Sequence, residues 1–193
     1  NTGTALIFGS SNNSVVNNTL VVRSGGLNAI NMYQTYYNAL VNNTAVSPSS
    51  VAISVYDSYG NMLVNNTANS TSSAALKLTS CNGYNVLNQT TLYGPVTLYV
   101  YDSMNTSVIN TNASGISIIE NSTYGAINFT GQINVSNAFV ANVTRIGNSS
   151  IFLNSTSQTG MNTTAVLRFA GLGTNRFTNP RAIVDYNDDG IFD

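Results

Sequence analysis

The chain has 193 residues, enough for one domain with a substantial core, and only 7% of them are charged, against the ~25% usual for soluble proteins. Its 42% apolar content argues against disorder, and a net charge of −1 gives no electrostatic reason for a nucleic acid or an anionic membrane as partner. With no His and a single Cys (Cys81), a His-ligated metal site, a His-dependent triad and an internal disulfide are excluded, and no apolar run reaches the ~20 residues of a membrane span.

The start at Asn1, without Met or a signal peptide, is what a processed product or a fragment shows. The first clear element is Ser14-Val15-Val16-Asn17-Asn18-Thr19. It returns as Ala39-Leu40-Val41-Asn42-Asn43-Thr44, as Met62-Leu63-Val64-Asn65-Asn66-Thr67 and as Asn85-Val86-Leu87-Asn88-Gln89-Thr90. The steps of about 25, 23 and 23 residues fall in the range of solenoid repeats.

A second column falls between these segments. It reads Ala29-Ile30-Asn31-Met32-Tyr33, Ala52-Ile53-Ser54-Val55-Tyr56, Ala75-Leu76-Lys77-Leu78-Thr79 and Thr97-Leu98-Tyr99-Val100-Tyr101, and Gly115-Ile116-Ser117-Ile118-Ile119 continues it. Apolar and polar residues alternate with period 2, so these are strands with one buried face: Ile53 and Val55 point in, Ser54 and Tyr56 out. Past residue 120, Tyr124-Gly125-Ala126-Ile127 echoes Tyr59-Gly60-Asn61-Met62. Gly147-Asn148 precedes Ser150-Ile151-Phe152-Leu153, and Ala138-Phe139-Val140 and Ala165-Val166-Leu167 extend a strand column.

The pattern predicts an all-β, right-handed parallel β-helix of roughly seven coils over residues 1–170, a rod some 30–35 Å long, with a short irregular tail over 171–193. An antiparallel β-sandwich is the competing reading, but it does not explain why successive coils carry the same residues at the same turn. The Asn-Asn-Thr turns and Ala-Ile-x-Val strands resemble the right-handed β-helix repeats of the pectate-lyase-like superfamily, especially those of NosD-type and other surface proteins. The resemblance covers about residues 12–170 and implies a fold rather than an activity, because that superfamily holds lyases, hydrolases, adhesins and structural proteins.

Four features bear on function. Fifteen Asn-x-Ser/Thr sequons occur, roughly twice what composition predicts. Stacked identical turns favour Asn ladders, so Asn17, Asn42, Asn65 and Asn88 read as ladder residues. Asn69, Asn105, Asn112 and Asn162, with Asn121, Asn142 and Asn154, read as glycan acceptors.

The run Asp185-Tyr186-Asn187-Asp188-Asp189-Gly190-Ile191-Phe192-Asp193 holds four of the seven acids and matches the opening of a calcium loop. Asp185, Asn187 and Asp189 would supply hard oxygens to Ca²⁺, Ile191 its carbonyl, and Asp193 a water-mediated contact. Tyr33, Tyr56 and Tyr101 share one outward register, interrupted by Thr79, with Tyr99 beside the last; they either stack on sugars or a partner, or cover one another.

Asp57, Asp102 and Glu120 end equivalent strands and are the only acids placed for a glycosidase-like pair. Gln34 and Ser80 share that turn position, however, so a polar turn residue is all it requires. Cys81 reads as a free thiol without a role, and Gly171-Leu172-Gly173 as a turn.

The expectation is an extracellular, glycosylated, non-enzymatic structural or adhesive protein of a surface layer, appendage or adhesin. Its partners would be further coils along the axis, from other copies or a larger parent chain, and glycans. Neither end shows an amphipathic capping helix. A polysaccharide hydrolase, lyase or glycan-binding β-helix is the alternative.

Overall fold

A computed structural model describes residues 6–170, apart from 24, 82, 104, 141–143, 149, 155 and 156. The chain is all-β and winds as a parallel β-solenoid of about five turns. The first coil is β1 (Leu6–Phe8), β2 (Ser14–Val16) and β3 (Thr19–Val21); the second is β4 (Ile30–Tyr33), β5 (Ala39–Val41) and β6 (Thr44–Ser47). The third is β7 (Ile53–Tyr56), β8 (Met62–Val64) and β9 (Thr67–Ser70), and the fourth is β10 (Ala74–Thr79), β11 (Asn85–Asn88) and β12 (Thr91–Tyr93). In the fifth, β13 (Val96–Tyr101) is followed by β14 (Thr106–Ala113), and β15 (Ile116–Asn121) returns to the first sheet.

Strands stack in the predicted columns. One sheet runs β1-β4-β7-β10-β13-β15 in parallel, the other carries β2-β5-β8-β11 and β3-β6-β9-β12, and β14 is long enough to close both rows. Register places like on like: Ile30, Ile53, Leu76 and Leu98 form one file, Leu40, Leu63, Leu87 and Val108 a second, and Ala45, Ala68, Leu92 and Ala113 a third. All are buried, so every coil donates the inward half of its alternation to one continuous core.

The corners explain the polar repeat. At the first, Gln34, Asp57, Ser80 and Asp102 have φ of 50°, 48°, 53° and 46°; at another, Asn17, Asn42, Asn65 and Gln89 have φ of 60°, 56°, 52° and 51°. Asn and Asp tolerate this left-handed conformation better than most residues, which accounts for their frequency here. A left-handed residue turns the backbone out of the coil-to-coil ladder, and in the inner coils the next residue is buried: Thr35, Ser58, Cys81 and Ser103 at the first corner, Asn43, Asn66 and Thr90 at the other.

Thus Asn43 N–H donates to Asn66 Oδ1 at 2.9 Å, Asn38 N–H to Asn61 Oδ1 at 3.0 Å and Thr35 N–H to Ser58 Oγ at 3.0 Å. The Asn66 and Asn61 amides donate in turn to the carbonyls of Leu40 and Thr35. The buried ladder therefore runs through Asn43 and Asn66; of the expected Asn17, Asn42, Asn65 and Asn88, Asn65 Nδ2 donates along the axis to Asn42 Oδ1 at 2.8 Å on the exposed side, Asn17 is exposed and Asn88 is half-buried.

The coil count is about five rather than seven, because the chain stops winding at Asn121. β16 (Gly125–Phe129) turns back antiparallel along β15, and β17 (Ile133–Phe139) runs antiparallel along β14. β18 (Thr144–Gly147) and β19 (Ser150–Leu153) form a hairpin, and a 3-10 turn at Thr159–Met161 leads to β20 (Ala165–Phe169), antiparallel to β16. The Tyr124-Gly125 echo is thus a reversal and not a new coil; Ala165-Val166-Leu167 does join the first sheet, in the opposite direction.

These returning strands bury Ile127, Phe129, Ile133, Val135 and Met161 against the end of the core. Among the described residues, strands rather than a helix close that end. Among the described residues no helix is long and apolar enough to cross a membrane.

Candidate functional site

The first corner carries an acid in two of the coils. Asp57 and Asp102 occupy the same left-handed position two coils apart, with Ser80 between them and Gln34 before them. Each has a structural partner: Asp57 Oδ2 accepts from Gln34 Nε2 at 3.1 Å, and Asp102 Oδ1 accepts from the Ser122 backbone N–H at 2.7 Å.

Glu120 lies opposite Tyr101 in register, one residue short of the corner position held by Asp102. Its carboxylate accepts from the Tyr99 hydroxyl and pairs with Arg168 of β20, which ties the returning strand to the solenoid. Burial, followed by the hydrogen bond to Glu120, pushes the Tyr99 phenol well above its usual range. Among the described residues no three of His, Cys, Asp and Glu gather as a metal group would require.

The Tyr column has its predicted register, and Tyr33 and Tyr56 stay exposed. Tyr33 and Tyr56 stack with centroids 5.3 Å apart and planes 9° apart. Tyr99 meets Tyr101 edge-on at 6.2 Å, and the Lys77 ammonium lies 5.0 Å from the Tyr99 centroid. A second stack was not read from the sequence: Tyr36 lies on Tyr59 with centroids 4.3 Å apart, and Tyr37 meets Tyr59 edge-on at 5.3 Å. Its signal was the repeated Tyr one or two residues beyond the Thr35/Ser58 corner, hidden because it falls in a turn where period 2 does not apply.

Beside that stack opens a groove of about 230 Å³ lined by Tyr36, Asp57, Ser58, Tyr59, Ser80 and Gly83. Cys81, next in the chain to Ser80, is fully buried in a file with Thr35, Ser58 and Ser103, where its N–H donates to Ser103 Oγ at 2.8 Å. Burial raises its thiol pKa above the ordinary 9.0. The Cys is therefore a member of a structural ladder.

The sequons divide by environment. Asn17, Asn42, Asn105, Asn112 and Asn162 are exposed, whereas Asn69, Asn88, Asn121 and Asn154 are half-buried. Asn121 Oδ1 accepts from the N–H groups of Thr123 and Tyr124, and Asn154 Oδ1 from Ser157 N–H, so both shape turns. Asn112 Oδ1 accepts from Gln132 Nε2 at 2.9 Å. Asn142 lies outside the described residues, as do all five calcium candidates, Asp185, Asn187, Asp189, Ile191 and Asp193.

Comparison with protein-family models, with curated proteins and with solved structures returns no match in any of the three. What the fold defines is a β-solenoid repeat protein.

Proposed function

We propose that this chain is an extracellular, non-enzymatic structural or adhesive element, a rod segment of a surface layer, appendage or adhesin related to the NosD-type repeats. The observation that carries the reading is the difference between the two ends of the coil. The C-terminal end is covered by antiparallel strands, whereas β1, β2 and β3 are paired on one side only among the described residues.

At that open end an acceptor pattern is left unfilled. Asn38, Asn43, Asn61, Asn66 and Asn85 each accept through Oδ1 the backbone N–H and the Nδ2 of an Asn in the coil before. Asn13 and Asn18 hold the same positions in the first coil, and no described residue donates to their Oδ1 atoms. The edge is a template for one more coil bearing Asn at both corners, from a second copy or from a larger polypeptide.

The engagement of Asp57, Asp102 and Glu120 by structural partners supports a non-catalytic role. The exposed sequons at Asn17, Asn42, Asn105, Asn112 and Asn162 support glycosylation on an outer surface. Binding of Ca²⁺ by the acidic run at 185–193 belongs to the same proposal.

Sedimentation of the purified chain over a range of concentrations tests the assembly. Association that rises with concentration, and that Asn13→Ala/Asn18→Ala removes while the β-sheet circular dichroism is kept, is the expected result. A monomer at every concentration counts against assembly between copies. Intact-mass measurement of the native protein tests the glycans, and a mass equal to the bare chain removes them from the proposal.

A further inference from the structure

One coil beyond the Tyr36–Tyr59 stack, Gly83 lies against Tyr59. Between the Ser58 and Asn61 ladder positions lie two residues, but between the equivalent Cys81 and Asn85 lie three, and this extra length brings Gly83 against Tyr59. A Cβ on Gly83 would overlap the Tyr59 Cβ, so only glycine fits, and glycine has no ring to continue the ladder. Gly83, Tyr36 and Tyr59 together line the groove of about 230 Å³. The ring wall is exposed: Tyr59 keeps 41% of its surface open to solvent.

The polar part of the lining is underused. Asp57 and Ser80 stand at the same corner of adjacent coils, with matching φ of 48° and 53°, and both line the groove. Asp57 spends Oδ2 on Gln34, and no described residue donates to Oδ1. The Ser80 hydroxyl has no hydrogen-bond partner among the described residues, whereas Ser58 spends its own on the Tyr56 carbonyl. Coil spacing sets the two corners about 5 Å apart along the axis, close enough for two hydroxyls of one sugar ring to engage one group each.

We propose that this groove binds a single pyranose residue of a glycan. Its apolar C–H face would lie on Tyr59, while two of its hydroxyls reach the Asp57 carboxylate and the Ser80 hydroxyl. The groove is smaller than the ~300 Å³ at which pockets for drug-sized ligands begin, which fits one ring rather than an extended chain. A flat wall on one side suits a sugar face better than a cation, which takes rings from several sides. The assignment is independent of the rod proposal: it concerns a side wall, and the open end plays no part in it.

The test is saturation-transfer NMR on the full chain with a panel of methyl hexopyranosides, with tetramethylammonium as the competing cation. The glycan-free chain, produced in bacteria, is compared with the native protein to separate added sugar from the chain's own glycans. Millimolar binding of at least one pyranoside to the glycan-free chain is expected, lost in Tyr59→Ala and weakened about tenfold in Asp57→Asn. Asn tolerates the left-handed corner, so Asp57→Asn folds even if Tyr59→Ala does not, and Tyr33→Ala, on the other stack, leaves binding unchanged. Transfer to no pyranoside, transfer unaffected by Asp57→Asn, or preference for tetramethylammonium overturns the assignment.

Discussion

At the scale of the residue, two adjacent asparagines in the same motif do opposite work. Asn66 is buried; its Oδ1 takes the Asn43 N–H at 2.9 Å and its Nδ2 reaches the Leu40 carbonyl at 2.8 Å. Asn66→Ala leaves a buried donor and a buried acceptor unpaired, and an expected cost of about 2–4 kcal/mol follows. Asn65 is exposed at φ 52° and its Nδ2 donates to Asn42 Oδ1 at 2.8 Å, so Asn65→Ala loses left-handed tolerance and a solvent-screened hydrogen bond, about 1–1.5 kcal/mol, and Asn65→Gly loses only the hydrogen bond, about 0.5 kcal/mol. Urea denaturation of the three variants checks the order.

The sequence showed the Asn-Asn-Thr motif but not which Asn turns inward. Period-2 counting fails at the left-handed residue, so the buried Asn43–Asn66 ladder lies one residue beyond the exposed Asn42–Asn65 pair. Cys81 belongs to the same scale. Its raised pKa means the unfolded thiol ionises first as pH climbs, so its contribution to stability is full below about pH 8.5 and falls as pH rises further. Cys81→Ser, matching Ser58 and Ser103 in its file, is expected to flatten the stability curve above pH 9, and denaturation from pH 7 to 10 measures it.

At the scale of the element, the strands of the solenoid were legible and those that close it were not. Within a coil, Ile53-Ser54-Val55-Tyr56 announces its buried face by alternation, and the next coil repeats it. β16 and β20 alternate as well, but alternation does not record direction, and Tyr124-Gly125 looks like the Tyr59-Gly60 corner. The physical difference lies in the turn. Asn121 Oδ1 caps the N–H groups of Thr123 and Tyr124, which reverses the chain before it can rise to another coil.

Gly125 then sits at φ 143° against β20, where a Cβ would overlap the Arg168 carbonyl. Gly125→Ala should therefore separate β20 from β16 at a cost of about 2–3 kcal/mol, seen as faster hydrogen exchange in Ala165–Phe169 than in β7 or β10. Arg168→Gln removes only the partly exposed pair with Glu120, and a loss below about 1 kcal/mol, smaller still at high salt, is expected from the same exchange experiment.

At the scale of the whole molecule, a solenoid is a stack in which each coil touches only its neighbours, so stability adds coil by coil. Leu76 stands under Ile53, 23 residues later, and Leu87 under Leu63. Deleting residues 53–75 joins Ala52 to Leu76 and removes one coil without changing the phase of any strand. Coil two then meets coil four: Leu40 on Leu87, Asn38 on Asn85, and Asn43 on Thr90, each an apolar or polar match. The shortened chain is expected to fold cooperatively, with stability lower by about 1–3 kcal/mol. Deleting Val55 alone is far smaller in mass but shifts one strand by a residue, which drives Tyr56 inward and should prevent folding. Far-ultraviolet circular dichroism and thermal melting distinguish the two outcomes. A folded Val55 deletion with an unfolded coil deletion would mean that the register, and not the coil, is the dispensable unit.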